Sequence, residues 1–151
     1  MREDLNQNLS KCYVSVDPTR LKVIDPDEVK GVLVGVCCRD CGCYVFGETI
    51  SCQSCTSSRL DPVELSSFGI LYSFTVVWAP PPGWIGDTPY VLGQVELPEG
   101  PHILAEVVDC IREDLVVGQS VELEIQRIER EGTESGLIVY KWKPTRSAEV
   151  C

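Results

Sequence analysis

The sequence predicts a mainly β protein built from an N-terminal arm, a cysteine-bearing ribbon and a five-stranded barrel. Three observations support this prediction. Six of the nine cysteines lie between residues 37 and 55, apolar and polar residues alternate in strand-length runs beyond that cluster, and Gly- and Pro-rich turns separate the runs. We therefore assign residues 1–31 to the arm, 32–60 to the ribbon and 61–151 to the barrel.

The arm carries the weakest pattern. Tyr13–Val16 has the composition of a short strand, and Asp25 followed by Pro26 is typical of a helix start with Asp25 as the N-cap. Gly31 follows too soon for more than about one helical turn. We therefore expect a loosely packed arm.

The ribbon is predicted from two C-x-x-C pairs, Cys38 with Cys41 and Cys52 with Cys55. Such pairs bring four thiolates onto one ion, as in structural zinc sites, and leave no open coordination position for catalysis. The pattern predicts a rubredoxin-like zinc ribbon that holds one structural zinc per chain.

The residues around the pairs fit this interpretation. Gly42 suits a left-handed turn after the first pair, and the spacer that contains Tyr44–Phe46 is long enough for a tight hairpin between the pairs. Cys37 and Cys43 flank the first pair at spacings that chelate poorly, so we treat both as bystanders. No βαβ pattern surrounds the cysteines, which disfavours a thioredoxin-type redox role.

The barrel is predicted from five runs with period-two alternation and one short helical turn, IREDLVVGQS, between the third and fourth. The runs are FGILYSFTVVW, PYVLGQVEL, HILAEVVD, VELEIQRI and LIVYKW, the last stopped by Pro144. Five short antiparallel strands with one helical interruption favour an OB-fold.

Two details of the strands are also predicted. The first run places its larger apolar residues on one face: Ile70, Tyr72, Phe74, Val76 and Trp78. In the fourth run the alternation slips at Ile128, which predicts a bulge near Gln126–Arg127.

Composition limits the function. The net charge is −10, and residues 61–151 carry six basic against fifteen acidic side chains. OB-folds that bind single-stranded nucleic acid use basic grooves. A nucleic-acid-binding protein is therefore kept only as an alternative function. A rubredoxin-like iron electron carrier is the other alternative.

The N-terminal residues lack the apolar stretch of a secretory signal, and no run reaches the roughly 20 apolar residues of a membrane span. We expect a soluble protein of the reducing cytoplasm.

The loop from Ala79 to Pro89 contains three consecutive prolines, then Trp84 and Ile85. Trp84 could fold back to plug one end of the barrel, or the stiff loop could be a preordered docking element. His102 is interpreted as a strand-edge residue satisfied by backbone, and Cys110 as a small core hydrophobe.

A resemblance covers about residues 32–144. Six segments follow one another in the order typical of a family of zinc-ribbon/OB-fold proteins associated with acyl-CoA enzymes. In chain order they are CRDCGCYVFGETISCQSC, LDPVELSSFGILYSFTVV, PYVLGQVELPEG, HILAEVVDC, VGQSVELEI and the closing YKWKP. The chain resembles this family, which includes small subunits of the benzoylsuccinyl-CoA thiolase type.

The resemblance implies a non-catalytic subunit that docks on a thiolase-fold partner as a hetero-oligomer and helps to shape its acyl-CoA site. Alone, the chain is expected to have no turnover, because no convincing nucleophile–base pair is visible. The residues expected to face the partner or the CoA thioester are Pro82, Trp84, Ile85, Tyr90, Lys141 and Lys143.

Overall fold

The computed structural model describes residues 12–145, which form ten strands and one short 3₁₀ helix. The elements are β1 (Cys12–Ser15), β2 (Leu21–Asp25), β3 (Lys30–Cys38), β4 (Tyr44–Phe46), β5 (Leu60–Glu64), β6 (Phe68–Val77), β7 (Tyr90–Glu96), β8 (His102–Val107), the 3₁₀ helix (Arg112–Asp114), β9 (Ser120–Glu129) and β10 (Ser135–Pro144).

Strands β6 to β10 form the predicted barrel. Antiparallel pairs join β6 with β7, β7 with β8, β9 with β10 and β6 with β9. The barrel closes where β10 meets β8 in parallel, at the pair Trp142 and Val107. Leu71, Val95 and Trp142 are fully buried inside. The OB-fold and all five of its predicted strands are confirmed.

The predicted bulge is misplaced. β9 pairs with β10 in unbroken register from Val121 to Glu129, so the strand is regular at Gln126–Arg127. The irregularity lies in β6 instead, where the pairing with β7 shifts between Leu71 and Ser73. The extra residue there reverses which side chains face the core.

This shift overturns the single predicted face of β6. Before the bulge, Leu71 points inward and Ile70 and Tyr72 are exposed. After it, Phe74 and Val76 pack against the core. Period two is preserved on each side of the bulge, but the phase is not.

The expectation of a loosely packed arm is wrong for the described residues from Cys12 onward. β1 pairs in parallel with β10, and β2 pairs antiparallel with β3. Leu21 at the start of β2 has no exposed surface and belongs to the main core. Tertiary pairing with β10, which the local sequence does not encode, orders this segment.

No helix starts at Asp25 in the described chain. Asp25 Oδ1 accepts hydrogen bonds from the backbone N–H groups of Asp27 (2.8 Å) and Glu28 (3.1 Å). These bonds close a tight turn, and Val29 then adopts a left-handed φ of 55°. The aspartate caps a turn of the β2–β3 connection, which is the other common use of an Asx side chain.

The ribbon is arranged around β3 rather than around a hairpin within the spacer. β4 and β5 both pair antiparallel with β3. The first cysteine pair therefore occupies the β3–β4 turn, and the second lies in the β4–β5 connection. The predicted hairpin between the pairs is wrong, because Tyr44–Phe46 pairs with β3, which precedes the first cysteine pair in the sequence.

Ribbon and barrel share one hydrophobic core. Leu33 of β3 and Leu65 after β5 are buried in the same cluster as the barrel residues. Phe46 of β4 packs edge-on against Tyr140 of β10, with ring centroids 6.0 Å apart. The ribbon thus packs on the barrel through apolar side chains.

Candidate metal centre and apolar surfaces

The four predicted cysteines lie together. Their Sγ atoms are all within 4.8 Å of one another, with 3.6 Å between Cys38 and Cys55 and 3.5 Å between Cys41 and Cys52. Cys38 and Cys52 are 1% exposed, whereas Cys41 and Cys55 are exposed. The cluster therefore has an inner and an outer side.

The two cysteine pairs adopt equivalent turns. The N–H of Gly42 donates to Cys38 O, and the N–H of Thr56 donates to Cys52 O, both at 2.9 Å. Gly42 has a φ of 72°, and Thr56 has a φ of 62° in the matching position. The first turn ends in a residue suited to this backbone, and the second in a β-branched residue that must be held there by its surroundings.

The sulfur atoms lie in a polar backbone environment. Backbone N–H groups of Cys55 and Ser54 lower the pKa of Cys52 to about 6. For Cys55, the backbone N–H of Ser57 lowers the pKa, but the nearby sulfurs of Cys41 and Cys38, together with burial, outweigh it and raise the pKa to about 12. Four crowded sulfurs cannot all ionise without a compensating cation.

The donor set fits a metal ion. A tetrahedral site with metal–sulfur bonds of about 2.3 Å has sulfur–sulfur edges of about 3.8 Å, close to the two short distances in the cluster. These four cysteines could bind one metal ion, as their spacing predicts, and four thiolates would fill its coordination sphere.

Cys37 and Cys43 lie outside this set of four. The Cys37 thiol contacts Cys38 O at 3.9 Å, and the Cys43 thiol contacts Tyr44 O at 3.6 Å. Burial, followed by the charge of Cys52 and Cys41, raises the pKa of Cys43, which keeps it a neutral thiol beside the centre.

Exposed polar contacts tie the centre to β5. The Arg39 Nε donates to Asp61 Oδ2 at 2.8 Å, and Asp40 accepts from Ser57 and from the Arg59 guanidinium. Residues inside the first pair are therefore linked to residues beyond the second, which limits how far the two turns can separate.

The Ala79–Tyr90 loop lies on the outside of the barrel. Trp84 is half-buried and stacks on Tyr90 with ring centroids 3.9 Å apart and an interplanar angle of 12°. Tyr90 lies on the same side of β7 as Leu92 and is buried, with the Trp84 ring stacked over it. Pro82 and Ile85 are exposed.

An apolar groove of about 520 Å³ runs from this loop between β8 and β10. Its lining includes Trp84, Ile85, Tyr90 and Lys141. The Lys141 Nζ is 2.6 Å from Glu106 Oε2. Lys143 is outside the groove lining and pairs with Glu124 at 2.8 Å. Both lysines thus already have carboxylate partners.

His102 and Cys110 have structural surroundings. The His102 ring lies 3.3 Å from Glu96, 3.1 Å from Gln94 and edge-on to Tyr72, so side chains rather than backbone provide its partners. Cys110 packs against the core, and burial raises the pKa of its thiol.

Several exposed apolar residues were not among the predicted site residues. Trp78 is 71% exposed with Arg112 above its ring, and Ile111 is 65% exposed. Phe68 and Ile70 are 58% and 44% exposed at the other end of β6. A strand pattern separates two faces but does not say which one meets solvent, so the sequence alone could not identify them.

Within residues 12–145, no helix combines the length and the apolar character that crossing a bilayer requires.

Comparison with known proteins gives consistent matches. The family described as the C-terminal OB-fold domain of ChsH2 matches residues 62–126. A DUF35 domain-containing scaffold protein of Methanocaldococcus jannaschii is 35% identical over 112 residues, 74% of this chain and 79% of that protein. The benzoylsuccinyl-CoA thiolase subunit BbsA of Geobacter metallireducens is 33% identical over 114 residues, 74% of this chain and 73% of that subunit. A solved structure of the Ltp2–ChsH2(DUF35) aldolase matches with a TM-score of 0.56 and 29% identity, over 75% of this chain and 84% of that one.

Proposed function

Because the chain belongs to the ChsH2/DUF35 OB-fold domain family, we propose that it is a non-catalytic, zinc-containing subunit of a thiolase-type acyl-CoA enzyme. It docks on the thiolase-fold partner as a hetero-oligomer and shapes the entrance to the acyl-CoA site. The names of its relatives support this role: one is a subunit of benzoylsuccinyl-CoA thiolase, and others are scaffold proteins.

The metal role rests on the four clustered cysteines. Cys38, Cys41, Cys52 and Cys55 would hold the ion, and zinc is the metal that four thiolates in a tetrahedral site most often bind. Zinc there would supply a cross-link between the two cysteine turns. All four positions are protein ligands, so the ion serves structure rather than chemistry.

The observation that carries the docking proposal is a crown of exposed apolar side chains at one end of the barrel, namely Trp78, Ile85 and Ile111. Each is more than half exposed, and the prolines before Trp84 stiffen the connecting loop. Large apolar residues clustered on a surface mark protein interaction sites, and aromatic anchors contribute most to such interfaces.

The groove beside the crown is the candidate contact with acyl-CoA. It is lined mainly by apolar side chains, which suits an acyl chain better than a phosphate group. Lys141 lies in its wall but is held by Glu106. We therefore place the acyl part of the substrate, rather than the CoA phosphates, next to this chain.

The test is co-expression with a thiolase-fold enzyme encoded beside this chain. The two should co-purify as a stable hetero-oligomer, the enzyme should depend on the chain for activity, and the chain alone should turn over no acyl-CoA. Trp78→Ala should weaken association at least about tenfold without changing metal content. Ile24→Ala, at a site 63% exposed on β2, is the matched control.

Full activity of the enzyme without this chain would contradict the proposal. So would equal association of the Trp78→Ala and Ile24→Ala variants, because the crown would then not be the docking surface.

A further inference from the structure

We propose that the outer surface at the start of β6 is a second docking surface, which contacts a patch of the thiolase-type partner where basic residues surround apolar ones. This surface, the Phe68 face, consists of Phe68, Ile70 and Tyr72. The inference rests on the proposed function and names a contact that the crown does not provide.

The Phe68 face is apolar and open. Its three side chains are 58%, 44% and 54% exposed and follow one another on the outward side of β6 before the bulge. A groove of about 510 Å³ adjoins Phe68 and Ile70, and Leu97 and Pro98 also line it. The face thus combines projecting side chains with a recess.

The face lies far from the crown. Phe68 begins β6, and Trp78 directly follows its last residue. At about 3.3 Å per residue the two ends are about 30 Å apart along the strand. A standard interface covers about 800 Å² per partner, a patch about 30 Å across. Anchor residues usually lie near the centre of an interface. Phe68 and Trp78 are too far apart to lie near the centre of one patch of this size, so each is the centre of a separate contact.

Carboxylates flank the face on both sides. Phe68 pairs across strands with Glu122, and Ile70 pairs with Glu96, so these side chains project on the same side. Lys143 lies 3.5 Å from Glu122 and 2.8 Å from Glu124, so that one cation serves two carboxylates. Glu96 pairs with His102. The rim remains acidic.

The acidic rim determines which kind of partner surface the Phe68 face can bind. A nucleic acid phosphate backbone would be repelled, and a second copy of this chain, with a net charge of −10, would bring its own acidic rim against this one. A protein surface with lysine or arginine around apolar residues satisfies both the apolar centre and the acidic rim.

The experiment measures association between the full chain and the thiolase-type enzyme with which it co-purifies. Phe68→Ala should weaken the complex at least about tenfold. Glu96→Lys should slow association, and wild-type association should slow as salt rises, because rim charges act on the encounter rate. Ile24→Ala should match the wild type, and none of the variants should lose the thermal transition, because the altered side chains are exposed.

The outcomes separate the two proposals. If the wild type fails to bind the enzyme, the proposed function is wrong. If Trp78→Ala weakens the complex but Phe68→Ala and Glu96→Lys do not, the second surface is wrong and the function stands. A wild-type homodimer that Phe68→Ala dissociates, or tighter enzyme binding after deletion of residues 146–151, would assign the face to another occupant and overturn the inference.

Discussion

Cys38 and Cys52 face the interior of the ribbon, whereas Cys41 and Cys55 face solvent. Each cysteine pair contributes one inner and one outer sulfur, so loss of any one of the four would leave the proposed metal site with three ligands and an open position. An open zinc position admits water and weakens a structural site. The burial difference therefore does not make the outer cysteines dispensable.

We predict that Cys38→Ser and Cys55→Ser lose the metal, while Cys37→Ser and Cys43→Ser retain one zinc per chain. Elemental analysis of the four purified variants is the measurement. Zinc retained in full by Cys38→Ser, or lost from Cys43→Ser, would mean that a different set of cysteines binds the ion. A coloured, iron-containing wild type would favour the rubredoxin-like alternative.

Trp84 and Trp142 differ in their surroundings, although both are tryptophans of the barrel module. Trp142 has no exposed surface and sits in the core, whereas Trp84 covers Tyr90 on the outer surface. Trp142→Ala should lower the free energy of unfolding by about 3–5 kcal/mol, and Trp84→Ala by about 1 kcal/mol, the scale of an aromatic pair. Urea denaturation of the isolated variants provides the comparison, and equal losses would identify Trp84 as a barrel plug.

At the scale of elements, the ribbon and barrel depend on each other. Leu33 and Leu65 of the ribbon side belong to the barrel core, so melting the ribbon exposes barrel residues. Structural zinc in finger peptides contributes about 10–16 kcal/mol to folding. Removal of the proposed zinc should therefore destabilise the barrel core as well as the cysteine turns.

We expect chelation to lower the melting temperature of the whole protein as one cooperative transition. Far-UV circular dichroism should shift together with tryptophan fluorescence, measured in a Trp78→Phe, Trp84→Phe background so that the signal comes from Trp142 in the barrel core. Cys43→Ser, which we expect to retain the metal, should respond to the chelator as the wild type does. A barrel signal that stays unchanged after zinc removal would show that the two modules unfold independently.

The five barrel strands could be predicted because each has its own period-two pattern bounded by turn residues. The bulge in β6 could not be predicted from the sequence. The register shifts between Leu71 and Ser73, but Tyr72 is apolar enough to lie on either face of the strand, so the apolar–polar alternation appears to continue without a break. The short strand expected at Tyr13–Val16 is present as β1, but its pairing with β10 and the whole of β2 were missed for a different reason. Their order comes from β10 and β3, and short segments with Asp and Pro carry little strand signal of their own.

The proximity of the four metal-centre cysteines could be predicted because a C-x-x-C pair needs only a local turn to aim two sulfurs at one point. The crown and the Phe68 face could not, since exposure of Trp78 or Phe68 depends on what the rest of the fold leaves uncovered. Surfaces of this kind are properties of tertiary structure, whereas ligand pairs are properties of local sequence.

The whole molecule is acidic, with a net charge of −10, and the barrel module carries most of that charge. We predict no measurable binding of single-stranded DNA or RNA at physiological salt, because the chain offers too few cations to replace phosphate counterions. Fluorescence anisotropy with a labelled oligonucleotide is sufficient. Micromolar binding that weakens steeply with added salt would contradict this expectation and restore the usual ligand class of OB-folds.

The position of β10 determines when the protein can mature during synthesis. β10 pairs with β1, β8 and β9, and its Ser135 lies opposite Cys12, so the barrel cannot close before the ribosome has delivered all the other strands. The cysteine pairs are complete at Cys55, long before that moment. On a translating ribosome, the set of four cysteines is therefore complete before the barrel can close, and a chain released before β10 would carry that set beside strands with unpaired edges.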